Sequence, residues 1–296
     1  MSNPLKIKSY WEDYSCGNTL RVGFQLAEQQ VCLAGQEFRI DLDGDLYGED
    51  MWFGAQSGDW EASTVGFVVT RCRDSVLFID IGAASGIFSL LAGRFGARVL
   101  SVEPDPRWLA CLYRNIQLND MLSTIRVVAG AVSNVSGNVS FLEGGSEKIL
   151  SPITRTGMSN EDLATQVEVH DLVELLGSEI RDCPNHQPVL KMDIEGAEYP
   201  ILWDSRQLGG LQSLGAIALI SLHPKELEGL PRKLLPLVVL RFLNFANVVW
   251  AHRKLLMTLV RFCSVADVRG ETMSSPLKFG IRVALGEKDY VLDFRK

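Results

Sequence analysis

The chain has 296 residues, 47% hydrophobic and 22% charged, the composition of a globular protein long enough to bury a full core. A net charge of −7 and the lack of any Lys/Arg-rich block argue against a nucleic-acid binder held by phosphate contacts. Six cysteines without a CxxC pair exclude zinc-ligand spacing and read as reduced thiols, and MSNPLKIKSYWEDYS has no apolar leader core, so the expectation is a cytoplasmic protein.

Residues 31–42, VCLAGQEFRIDL, alternate apolar and polar about Ala34-Gly35, which predicts a hairpin. The Gly- and Asp-rich run 43–64 predicts an irregular lid leading to a helix from near Glu61. VLFID (76–80) reads as a buried strand and IFSLLAGRFG (87–96) as a helix stopped by Gly96. ARVLSVE (97–103) is a second strand, PRWLACLYRNIQLND (106–120) a second helix and TIRVVAGAV (124–132) a third strand. NVSFLEG (138–144) predicts another strand, and VHDLVELLG (169–177) a helix. PVLKMDI (188–194) and LGAIALISLH (214–223) are two more buried strands, and SVADVRG, FGIRVAL and DYVLDFRK predict a closing antiparallel pair. The apolar run 234–262 is interrupted by Arg241, Asn244, Asn247, His252, Arg253 and Lys254, too often for a spanning helix. It fits buried or subunit-facing helices, with a helix lying on a membrane surface as the alternative. Strands alternating with helices mean a mostly parallel sheet covered on both faces, an α/β doubly wound fold.

In such a sheet, ligands sit beyond the carboxyl ends of the strands. The loop after the first strand is Asp80-Ile81-Gly82-Ala83-Ala84-Ser85-Gly86. A dinucleotide turn needs a second glycine where Ala84 stands, so that a pyrophosphate can approach the backbone, and Asp80 would repel that anion. Glu103, 23 residues after Asp80, ends the next strand where a carboxylate accepts from both hydroxyls of a ribose. Acids at both places suit S-adenosylmethionine, an adenosine with a cationic sulfonium and no phosphate, better than NAD.

DIGAASG, VLSVEPDPRWLACLYRNIQLN, VVAGAVSNVSGNVSF and LKMDIEGAEYPIL, in this order, resemble the FkbM-type branch of the class I S-adenosylmethionine-dependent methyltransferases. The resemblance covers roughly residues 58 to 224. It implies a Rossmann-like seven-stranded sheet whose last two strands are antiparallel, and O-methylation of a sugar or polyketide-type natural product. It divides the chain into an N-terminal β and irregular extension or lid (1–60) and a methyltransferase domain (61–296) with extra helices inserted at about 225–262. It implies that Asp80, Gly82, Ala83, Ser85 and Gly86 line the methionine end of the cofactor. Glu103 and Pro104 would hold the ribose, Gly130, Ala131 and Val132 would border the adenine, and Glu61 would lie in a stretch closing over the cofactor. Two departures from the family pattern stand out: Ala84-Ser85 where an Asn is usual, and Ser221-Leu222 where an acid commonly precedes the histidine.

The acceptor end is carried by LKMDIEGAE. Asp193 and Glu195 follow a strand, so they project where an acceptor would meet the cofactor, and Asp193 is counted with the cofactor site as well. Glu198 reads equally as a helix-start acid. His223 ends the next strand, and an imidazole with an ordinary pKa near 6.5 suits it to accept a hydroxyl proton. Asp193, Glu195 and His223 are thus the catalytic candidates. No metal is demanded, although these three offer a donor set for a divalent cation. The expected partner is a small-molecule or glycan acceptor, with no nucleic acid and no transmembrane segment. The C-terminal apolar helices offer a homodimer interface. The competing readings are a catalytically inactive interaction subunit on the same fold and an NAD-dependent oxidoreductase.

Overall fold

The computed structural model describes residues 28–41, 48–142, 164–223 and 237–295. The expectations for residues 1–27, for Glu143-Gly144 and for the start of the helical insertion lie outside these.

Strands β1 (Glu28–Leu33) and β2 (Gln36–Asp41) pair antiparallel about Ala34 and Gly35, both at positive φ (50° and 75°), the conformation of a tight two-residue hairpin turn. Helix α1 (Gly48–Ser57) occupies part of the run expected to be irregular. Its Trp52 and Ala55 are buried in one cluster with Val31, Leu33 and Phe38 of the hairpin, and that burial overrides the weak helical propensity of a Gly-rich segment. Helix α2 (Ala62–Arg71) follows directly after Glu61.

The core then winds as β3 (Val76–Ile81), α3 (Ile87–Arg94), β4 (Arg98–Glu103), α4 (Pro106–Leu118) and β5 (Ile125–Ala129). The start of α4 is written in its sequence: Pro106 takes the first helical position and Asp105 accepts from the Arg107 amide. The strand expected through residue 132 breaks at Gly130. A Cβ there would lie 2.8 Å from the Glu168 carbonyl, so only glycine lets the chain turn out of the large sheet. The turn leads into a separate three-stranded sheet of β6 (Ala131–Ser133), β7 (Gly137–Leu142) and β8 (Ala164–Asp171), ordered β6-β8-β7. Residues 169–171 therefore belong to a strand, and helix α5 (Leu172–Asp182) starts only where the Asp171 side chain caps it.

After β9 (Gln187–Met192) come α6 (Glu198–Trp203), α7 (Ser205–Ser213), β10 (Ile217–Ser221), α8 (Leu237–Leu259), β11 (Ser264–Asp267), α9 (Pro276–Ala284) and β12 (Asp289–Asp293). FGIRVAL, expected to be a strand, lies in α9. Ser275 caps it, Pro276 starts it, and Phe279, Gly280 and Val283 are buried at helical spacing. The large sheet runs β11-β12-β10-β9-β3-β4-β5. Its pairs are parallel from β10 to β5, whereas β12 is antiparallel to both of its neighbours. This is the expected Rossmann-like seven-stranded sheet with an antiparallel pair at one edge.

Alternate residues of the central strands feed two cores. Phe78, Val99, Val189 and Leu219 join α2, α3, α4 and the N-terminal hairpin on one face. Ile79, Leu100, Leu190 and Ile220 join the helices from α5 to α9 on the other. Both faces being covered explains why the strands read as unbroken apolar runs.

Candidate active site

The carboxyl ends of β3, β4, β9 and β10 converge, and with them Asp80, Glu103, Asp193 and His223. Gly82 has φ 79°, and a Cβ on it would stand 2.2 Å from the Asp193 carbonyl oxygen, so the loop after β3 can lie against the segment after β9 only with glycine here. Ala84 is held at φ 47° by its amide, which donates to Glu103 Oε2 at 2.8 Å. The Asp105 amide donates to Glu103 Oε1, also at 2.8 Å. Glu103 is therefore fixed between two loops, and burial pushes its carboxyl up to about 7 despite those two donors. Ala83 and Ser85 are buried in the loop, and Gly86, at φ 91°, ends it. Gly130 donates its amide to the Glu103 carbonyl, so the adenine-side candidates start beside Glu103, but Ala131 and Val132 are buried in β6.

Asp80 is fully buried rather than presented at the surface of the site. Ser89 Oγ donates to its Oδ2 at 2.6 Å, and Lys191 Nζ lies 3.6 Å from its Oδ1. Lys191 also donates to the Gly82 carbonyl at 2.9 Å and sits over the Phe88 ring. Burial works against a charged lysine, but Asp80, Asp193, Glu61 and Glu103 together hold its pKa above the ordinary value. A lysine in the apolar strand PVLKM was the sign that acids surround it, since buried lysines need partners. Glu61 stands at the rim. It accepts from Thr64 Oγ1 and, at 2.9 Å, from Lys288 Nζ, which ties the start of α2 to the strand β12 region.

The second half of the site is built by a strained turn. Glu195 lies at φ 53° and Gly196 at φ 102°, and a non-glycine residue there is the kind of stored strain found at functional sites. The turn is pinned by Glu198, fully buried, whose Oε1 accepts from the Ile194 amide (2.8 Å) and Oε2 from the Gly196 amide (2.9 Å). The same Oε1 accepts from His223 Nδ1 at 3.2 Å, so Glu198 orients the imidazole. His223 Nε2 then faces Asp193 Oδ1 at 3.4 Å and Glu195 Oε2 at 3.7 Å. Burial pulls the imidazole pKa down, yet the Glu198 bond and the charges of Asp193, Glu198 and Glu195 outweigh it and raise it above 6.5. Asp193 Oδ1 is buried without a hydrogen-bond partner. One donor atom from each of Asp193, Glu195 and His223 falls within 4.8 Å of the others, the reach of a single cation.

Sequence reasoning brought together Asp193, Glu195 and His223 and left Glu198 evenly between a functional acid and a helix-start acid, but it missed the positioning group Lys191 and gave His252 no role. His252 is buried at the inner face of α8, where its Nδ1 donates to the Val248 carbonyl and its Nε2 accepts from the Tyr199 hydroxyl, each at 2.8 Å. It thereby joins α8 to the residue after Glu198. As a whole the site gathers Glu61, Asp80, Glu103, Asp193, Glu195 and Glu198 around two lysines and one histidine, an excess of acid that disfavours phosphates and suits a cation.

Residues 80–225 match the family described as the methyltransferase FkbM domain. The methyltransferase sdnD of Sordaria araneosa is 28% identical over 160 residues, which cover 45% of this chain and 62% of that protein. The ribosomal protein L11 methyltransferase of Geotalea uraniireducens (strain Rf4) is 27% identical over 138 residues, covering 45% of this chain and 39% of its own. The chain thus spans about 62% and 39% of the lengths of these two relatives. Among solved structures, geranyl diphosphate C-methyltransferase from Streptomyces coelicolor A3(2) aligns over 81% of each chain at 12% identity with a TM-score of 0.37.

Proposed function

From the match of residues 80–225 to the methyltransferase FkbM domain, we propose that the protein is an S-adenosylmethionine-dependent methyltransferase that methylates a hydroxyl of a sugar or of a glycosylated or polyketide-type natural product. The observation that carries the reading is the convergence of Glu103, held at the end of β4, with Asp193 and His223 at the ends of β9 and β10. The residues present fit the cofactor. Glu103 still has lone pairs for ribose hydroxyls, the Gly82 cradle leaves no room for a side chain, and Asp193 Oδ1, which accepts no hydrogen bond although it faces His223, has lone pairs for an ammonium. When bound, the cofactor supplies an electrophilic methyl group on a sulfonium.

The chain's own residues do the rest. His223 Nε2 takes the proton of the acceptor hydroxyl, while Glu198 keeps Nδ1 protonated and the ring in orientation. Asp193 and Glu195 stabilise the imidazolium that results. Alignment of the hydroxyl supplies much of the remaining rate, as expected for an in-line displacement. The grouping of Asp193, Glu195 and His223 favours one second reading: a divalent cation held by the three, binding the acceptor oxygen. Activity that survives a chelator removes that reading.

The test is calorimetric titration of S-adenosylmethionine and S-adenosylhomocysteine into the full chain and into Glu103→Ala, with NADH as control. Loss of a charged acceptor costs about 1.5–3 kcal/mol, so affinity should fall more than tenfold in the variant. Failure of the wild-type chain to bind either ligand overturns the proposal, and the interaction-subunit reading takes its place.

A further inference from the structure

Of the twelve large apolar side chains exposed among the described residues, eight lie between Phe245 and Leu285, in α8, α9 and the turns beside them. The two helices cross where Gly280 lies against the Val249 carbonyl; a Cβ on that glycine would stand 2.3 Å from the oxygen. Trp250, 54% exposed, is on one side of this crossing, and Leu277 and Ile281 are within a turn on the other helix. Met257 continues the stripe along α8 at helical spacing.

This face is also cationic. Arg253 Cζ and Lys254 Nζ lie 5.0 and 5.3 Å from the Trp250 ring centroid, and Arg261 is exposed one turn beyond Met257. No Asp or Glu occurs between Leu237 and Phe262, in a chain whose net charge is −7. Nearby Glu271 and Asp267 are already paired with Lys278, Arg269 and Arg282. The face is thus the reverse in sign of the molecule that carries it.

We propose that this face docks on an anionic lipid surface, with Trp250 and its apolar neighbours entering the headgroup layer and Arg253, Lys254 and Arg261 meeting lipid phosphates. An exposed tryptophan flanked by cations is the kind of anchor that sits at the level of lipid headgroups and meets their phosphates. Among the described residues no helix is long and apolar enough to cross a membrane. A second copy fits poorly: an isologous pairing of α8 with itself would set cations against cations with no acid to balance them. The inference does not depend on the chemistry of the active site.

The experiment is co-sedimentation of the full chain with phosphatidylcholine vesicles and with vesicles that also contain phosphatidylglycerol. The wild type is expected to bind only the anionic vesicles and to be released by salt, against the general repulsion of its negative charge. The double variant Arg253→Glu/Lys254→Glu should lose about tenfold or more in binding, and Trp250→Ser should weaken it separately. Both change exposed side chains, and matching circular dichroism and thermal unfolding will show that they fold. No binding to anionic vesicles overturns the proposal, as does equal binding by the charge-reversed variant. A concentration-dependent dimer dissolved by Trp250→Ser would also overturn it, assigning the face to a second copy.

Discussion

His223 is where geometry and protonation meet most directly. Its raised pKa means that the imidazole stays protonated, and so useless as a base, until the pH passes above the ordinary 6.5. The rate should therefore rise with pH through a midpoint above 6.5, the reverse of what an acid catalyst would give. His223→Asn keeps a group of similar shape without the titration. It should lose about 10²–10⁴-fold in kcat, and the acidic limb should vanish with it. A pH profile of kcat/KM for both proteins checks this, and a limb that persists in His223→Asn assigns the titration to another group. The two glutamates of one motif show why residue type alone was insufficient here. Glu195 and Glu198 are three residues apart, and the left-handed turn at Glu195 leaves one half-exposed and sends the other into the interior, under the histidine.

Elements are held around the site by a few buried amides. Asn115, on α4, accepts from the Asp41 amide at 2.8 Å and donates to the Ser85 carbonyl at 2.9 Å, so one side chain joins the N-terminal hairpin to the loop after β3. Asn115→Ala would strand both backbone groups in a buried setting, and should destabilise the protein by about 2 kcal/mol or more. Urea unfolding measures the loss. Hydrogen exchange should show the Asp41 amide opening ahead of the β3 amides, and unchanged protection there would refute the tether. The strand–helix order around this joint was legible because β3, β9 and β10 are almost wholly apolar, with Asp80 and Lys191 the charged residues among them, as a sheet covered on both faces requires. Of the three-stranded sheet only β7 was legible, as NVSFLEG; β6 read as the end of β5 and β8 was not foreseen, since their pairing spans a long stretch of intervening chain. FGIRVAL misled for a related reason. Its β-branched residues suggest a strand, and only the Ser-Pro start and the packing on α8 settle it as a helix.

At the scale of the molecule, function is divided between the two sides of one sheet. The half of the site proposed for the cofactor rests on α3, α4 and the hairpin, the half proposed for the acceptor on α6 and α8, and Lys191 with Glu61 joins them electrostatically. The order of the strands also dictates an order of assembly. Among the described residues the one strand that pairs with β11 is β12, which follows 22 residues later, while β12 also lies against β10; the other edge of β11 meets the chain just after it, in a bridge between Ala266 and Thr272. The outermost strand is thus a guest that arrives before its host. During synthesis Ser264–Asp267 has only the local bonds to Glu271 and Met273 until α9 and Asp289–Asp293 have emerged, so this edge of the sheet should close late. Pulse-labelled hydrogen exchange during refolding should find the β11 amides other than Asp267, which is held by the local Glu271 carbonyl, protected no earlier than those of β12; earlier protection would mean that β11 first pairs elsewhere.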